Sequence, residues 1–165
     1  MVKKFLFLLV LVVAGAAIWF FFLRSNDKER VLAALQEAAA AASKDRNETT
    51  SAMLLKTQTV GSCFADSCSF QLDEQMFAGD YTPEDIGANL VRMRQVFTES
   101  RLSYYDQEVL FPRENEAVIN FTGNLKGTLR SNDQVNEARE IQAKLRKIDG
   151  KWKFYSFKVR EIIKK

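Results

Sequence analysis

Arg146-Lys147-Ile148-Asp149-Gly150-Lys151-Trp152-Lys153-Phe154-Tyr155-Ser156-Phe157-Lys158-Val159 is the stretch from which the fold is read. Asp149-Gly150 stands between two runs in which apolar and polar residues alternate, and Asp-Gly is the preferred centre of a type I′ hairpin turn. The final two strands are therefore expected at about 135–148 and 151–163. Upstream the same two-residue period predicts strands at 101–111 and 117–129, with turns at Pro112 to Glu116 and Arg130 to Gln134. In the second of these, Ile119, Phe121, Leu125 and Leu129 alternate with Asn120, Thr122, Asn124, Lys126 and Thr128, the pattern of a sheet with one buried face. Gly123 and Gly127 interrupt it and suggest bends or bulges.

Before residue 100 the period changes to that of helices. Thr82-Pro83-Glu84-Asp85 supplies a capping hydroxyl, a proline at the first helical position and acids in the first turn, so a helix is expected over 82–99. Its apolar face is read as Ile86, Leu90, Met93 and Phe97, with Arg92, Gln95 and Glu99 opposite. Val31, Leu35, Ala38, Ala39 and Ala42 place another helix at 26–44, a weaker one is expected at 50–59, and Cys68 to Leu72 reads as a short strand. The fold class is α+β, helices followed by a curved antiparallel sheet that closes over them as a cone. At the N-terminus, residues 5–23 (FLFLLVLVVAGAAIWFFFL) carry no charge and are long enough, as a helix, to cross a bilayer. Residues 1–24 are expected to be a signal anchor and 25–165 the domain, with a cleaved signal peptide as the alternative.

This order of elements, with Ile148-Asp149-Gly150-Lys151-Trp152-Lys153-Phe154 as the closing hairpin, resembles the nuclear transport factor two-like (SnoaL-like) superfamily, whose domains are cystatin-like cones. The resemblance covers residues 26 to 163. It implies a fold that hosts enzymes, ligand carriers and scaffolds alike. Enzymes of this superfamily place acids, tyrosines or histidines inside the cone. Tyr104, Tyr105 and Asp106 are the nearest equivalents here, resembling ketosteroid isomerases in residue type only. Adjacent strand residues point to opposite faces, so both tyrosines cannot enter one pocket without a bulge. The anchored domain is also similar to the periplasmic part of type IV secretion scaffold subunits, which join one transmembrane helix to this fold.

The chain of 165 residues contains no histidine, which removes Ser-His-Asp and Cys-His catalysis and all His-containing metal sites. No metal or cofactor site is expected. Cys63 and Cys68, four residues apart in a turn-prone stretch, read as a short disulfide loop outside the cytoplasm, with unpaired structural thiols as the alternative. Asn47-Glu48-Thr49 and Asn120-Phe121-Thr122 match the glycosylation acceptor pattern. Residues 25–85 carry 11 acids against five bases, whereas 134–165 carry ten bases against four acids. The basic end could bind nucleic acid, but the expected placement outside the cytoplasm argues against it; a solvated strand face is the plain alternative, and a contact with a protein partner or anionic lipid headgroups lies between them. The reading is a single-pass membrane protein, anchored by residues 5–23, whose extracytoplasmic domain acts without catalysis as an interaction or scaffold module. Its partner would be another protein or a second copy, met through Lys144, Arg146, Lys153 and Lys158. The alternative is a small-molecule carrier, lyase or isomerase using Tyr104, Tyr105 and Asp106.

Overall fold

A computed structural model of the chain describes residues 26–71 and 78–163. The expected membrane segment, residues 5–23, lies outside them; among the described residues no helix is long and apolar enough to cross a membrane. Helix α1 covers residues 26–42, α2 Thr50–Ser62 and α3 Pro83–Val96. The strands are β1 Phe64–Gln71, β2 Ala78–Tyr81, β3 Phe97–Arg113, β4 Glu116–Leu129, β5 Gln134–Ile148 and β6 Lys151–Ile163. They form one sheet in the order β2-β1-β6-β5-β4-β3.

The β3–β6 meander is antiparallel and lies close to its expected limits. Asp149 and Gly150 both have positive φ, 49° and 76°, as a type I′ turn requires. The β3–β4 turn is tighter than expected. Arg113 pairs with Glu116, and Asn115 takes a φ of 58° between them. Pro112 belongs to β3, which tolerates it because β3 is an edge strand.

Three expectations are corrected. The sheet is mixed, because β1 lies parallel to β6 and carries β2 on its outer side. Residues 64–68 are strand where a loop was read. The bulges suggested at the glycines of β4 do not occur against β5. The register of the two strands is unbroken from Glu116 to Thr128, and the glycines serve close approach instead. A Cβ on Gly127 would lie 2.8 Å from the Glu99 carbonyl oxygen and 2.8 Å from the Phe97 ring, while one on Gly123 would lie 2.9 Å from Ile141.

The capping box at α3 forms as predicted: Thr82 Oγ1 accepts from the Asp85 amide, and the Asp85 carboxylate accepts from the Thr82 amide and hydroxyl. The helix ends at Val96, three residues early, because Phe97 is extended and buries its ring in the core. Lys44 Nζ holds this end by donating to the carbonyls of Arg94 and Phe97, at 2.8 and 2.6 Å.

The core lies between the helices and the concave face of the sheet. Val31 and Leu35 of α1 and Leu90 of α3 meet Ile119, Phe121, Leu145, Trp152 and Phe154 from the strands. Asp27 ties the start of α1 to the last hairpin, accepting from Lys147 Nζ (2.9 Å) and Trp152 Nε1 (3.3 Å). Beyond α1 the chain pairs with the outer edge of β3, where Lys44 and Ser100 exchange backbone hydrogen bonds of 2.8 and 2.9 Å.

The expected disulfide is also corrected: Cys63 and Cys68 are free, buried thiols. They belong to different elements. Cys63 closes α2 and its Sγ donates to the Thr59 carbonyl at 3.2 Å, whereas Cys68 is a fully buried residue of β1. Burial pushes their pKa values up to about 11 and about 12, so both stay protonated and unreactive at neutral pH.

Candidate functional site

A cavity of about 990 Å³ opens between the end of α1, the 43–46 segment and the adjoining parts of β3, β4 and β5. Ala39, Ala40 and Ser43 form the helix side; Ser100, Leu102 and Tyr104 contribute from β3. Small side chains along α1 leave this space, so the alanine run seen in the sequence defines one wall.

Tyr104 reaches the cavity because its cross-strand partner is Gly123, which leaves room for a ring over β4. The ring packs edge-on against Phe121, with centroids 6.2 Å apart. Burial raises its pKa above the ordinary tyrosine value, so the phenol is a proton donor at neutral pH. Tyr105 is on the opposite face, half exposed, with its hydroxyl 3.3 Å from Ser103 Oγ. Asp106 has a φ of 55° in the bulge between Tyr105 and Glu108, and is exposed. The structure therefore does not bring the three together; Tyr104 alone lines the cavity.

Beneath the cavity floor lies a buried ionic cluster that the sequence reading missed. Arg94, 1% exposed, donates through Nη1 to the Ala41 carbonyl at 2.9 Å and through Nη2 to the Glu48 carboxylate. The Glu48 side chain is 4% exposed and also meets Lys56 Nζ at 2.8 Å, which in turn pairs with Asp45 at 2.8 Å. Burial by itself would raise the Glu48 pKa, but hydrogen bonds from Lys56 and Arg94 outweigh it and hold the carboxyl below its ordinary value. Lys44, which lines the cavity, has its pKa pushed down by burial and by the fields of Arg130 and Arg94.

One signal in the sequence pointed to Arg94. It stands four residues after Leu90 and eight after Ile86, on the helix stripe that faces the core. Met93, which had been assigned to that face, is exposed instead. Glu48 sits in the Asn47-Glu48-Thr49 acceptor pattern, which drew attention to exposure rather than to burial.

The basic residues of the last hairpin lie elsewhere. Lys144, Arg146, Lys153 and Lys158 are on the outer face of the sheet, alternating with Leu145 and Phe154 of the core, and the Arg146 guanidinium lies 4.1 Å from the centre of the Tyr155 ring. Among the described residues no cluster of three or more metal-ligating side chains occurs.

No protein-family model matches the sequence, and no curated protein matches it. Solved structures do. The chain is similar to hexachlorocyclohexane dehydrochlorinase LinA-type3 from Novosphingobium barchaimii, with 12% identity, 85% of this chain and 90% of that one covered, and a TM-score of 0.67. It is similar to a candidate scytalone dehydratase from Novosphingobium aromaticivorans, with 12% identity over 85% and 87% of the two chains and a TM-score of 0.67. A protein of unknown function with a cystatin-like fold from Nostoc punctiforme matches with 15% identity over 81% and 89%, and a TM-score of 0.58. At these identities the likeness is one of fold: the chain folds as a cystatin-like α+β cone. The expectation of a domain without catalysis is corrected here. Structures that share the cone across four-fifths of this chain carry the names of a dehydrochlorinase and a dehydratase, so this fold points toward a possible enzyme rather than away from one.

Proposed function

We propose that the protein is a lyase or isomerase that acts on a small molecule held in the cavity beside Tyr104. The observation that carries this reading is the placement of a protonated phenol, from the concave face of the sheet, in the wall of a 990 Å³ cavity. Cavities of this size accept a small organic molecule. Elimination and isomerisation both need a proton removed at carbon and a donor for the group that gains charge. Tyr104 supplies the donor. Lys44 lines the same wall, but its Nζ is engaged in donating to the Arg94 and Phe97 carbonyls, so no base is assigned to it.

The test is a small-molecule thermal-shift screen on the full chain, followed by assay of the hits for elimination or double-bond migration. Tyr104→Phe is expected to keep the melting temperature within a few degrees and to lower turnover by about 10²-fold or more, the range of a lost general acid. Unchanged turnover in that variant, or hits that bind away from the cavity, would remove Tyr104 from the reaction.

The apolar run at residues 5–23 supports a second reading, that the cone is tethered to a membrane. Sedimentation with membranes through a high-salt wash tests it. The free thiols make no demand for an oxidising compartment.

A further inference from the structure

We infer that the narrow end of the cone is seated on anionic lipid headgroups, through Arg113, Arg146, Lys151 and Lys153 on the outer face of the sheet. This seat rests on the reading of residues 5–23 as a membrane anchor and goes beyond it by naming the surface of the domain that meets the lipid.

The start of α1 decides which end lies at the membrane. Asp27 accepts from Lys147 Nζ at 2.9 Å and from Trp152 Nε1 at 3.3 Å, so the first turn of the helix is fixed to the last hairpin. The Lys147 amide donates to the Asn115 carbonyl at 2.9 Å, which brings the β3–β4 turn to the same end. The apolar run closes at Leu23, and the chain from there to Asp27 reaches at most about 14 Å. Both hairpin ends therefore stand close to any bilayer that holds the run.

That end is basic on its outer face. Cross-strand partners share a face, and the pairs Arg113–Glu116, Glu116–Arg146 and Arg146–Lys153 make one row over four strands, with Lys151 beside Ile148 in the next. Four cations stand there with Glu116 among them, and the turns add Glu114 and Asp149 at the tip. Arg146 and Lys153 oppose each other directly, which is repulsive unless an anion lies over the pair. None of the four cations has an ion-pair partner among the described residues. The helices pack on the concave side, so the row is open to a partner.

Charge selects that partner. A second copy laid on this face would meet cations in either orientation, since the other end of the face carries Arg101 and Lys126. A membrane offers a plane of negative charge to all four cations at once, and the anchor holds it beside them at high effective concentration. Gly127 and Thr128 of the cavity wall lie at the far end of β4, about 35 Å away at ~3.3 Å per residue. The seat thus leaves the cavity facing water.

The experiment reconstitutes the full chain in vesicles of phosphatidylcholine alone and in vesicles with about 30% phosphatidylserine, and labels amines with a reagent that does not cross the bilayer. In the anionic vesicles, labelling of Lys151 and Lys153, read against Lys126, is expected to fall about fivefold or more, the factor of one base held at an anionic surface, and to recover in about 1 M salt. Combining Arg113→Gln with Arg146→Gln should remove most of the protection of Lys151. Lys56, held by Asp45 and Glu48, should label no faster than in the parent, which reports that the variant is folded. Equal labelling of Lys151 in the two lipids overturns the inference. So does protection given by soluble polyglutamate in neutral vesicles and not by anionic lipid, which assigns the face to an acidic protein. The anchor is read separately by the salt wash. A chain that stays with the vesicles but labels equally in both lipids keeps its anchor and loses the seat, whereas a chain released by the wash loses both.

Discussion

Arg94 shows what a single residue does in this molecule. A guanidinium at 1% exposure is held by Glu48 and a main-chain carbonyl, and its neighbours Lys56 and Asp45 carry the charge outward to solvent. Removing one side of a buried pair leaves the other uncompensated, which costs about 3–5 kcal/mol. Arg94→Met is expected to lower stability by that amount, and Glu48→Gln added to Arg94→Met should recover much of it, both measured by urea unfolding. The carboxyl of Glu48 titrates below its ordinary value near 4.5 in the folded chain. Its contribution is therefore complete above that value and is lost as the pH falls through the folded pKa. Stability of the parent should drop between roughly pH 5 and pH 3, and drop less in the double variant. The thiols give a second check at this scale: both should react with a thiol reagent after unfolding without reductant, and slowly before it. At residue level the sequence was only partly legible. Tyr104 was singled out and lines the cavity, whereas Asp106 was grouped with it only because it is near in sequence. Arg94 was overlooked because an arginine within an apolar period reads as an exposed position.

At the scale of elements, strong local chemistry was readable and tertiary choices were not. Thr82-Pro83-Glu84-Asp85 and Asp149-Gly150 each state a backbone geometry by themselves, and both form. The end of α3 was misjudged because the stop comes from outside the helix, from the Phe97 ring entering the core and from Lys44 on the last carbonyls. The parallel pairing of β1 with β6 joins residues some 90 positions apart and leaves no local signature. Gly127 belongs to this level too, since the Glu99 carbonyl and the Phe97 ring come close to β4 at the point where it lacks a side chain. Gly127→Ala would set a methyl group against the Glu99 carbonyl and the Phe97 ring, and is expected to cost about 1–3 kcal/mol as overpacking. Thermal or urea unfolding measures it. A smaller loss than in Gly150→Ala, where φ is 76° but the space is open, would show that backbone strain outweighs the contact.

For the whole molecule, the cone separates two chemistries. Tyr104 and Lys44 line the cavity, whereas the outer face holds the basic residues of the last hairpin together with Arg101 and Lys126. The opposed net charges of the two ends of the domain were visible in the sequence, but not that cations of β3 and β4 would share the outer face with those of the basic end. The long strand β3 has a further consequence. It is 17 residues long and stands at the margin of the sheet, where unpaired amides invite another chain to add itself. Three interruptions lie along it: the Lys44–Ser100 bridge covers one end, the bulge at Asp106 bends the middle, and Pro112 withholds a donor near the other end. No uninterrupted template longer than a few residues remains, so copies of the cone crowded side by side at high concentration are expected to stay separate instead of zipping into fibrils.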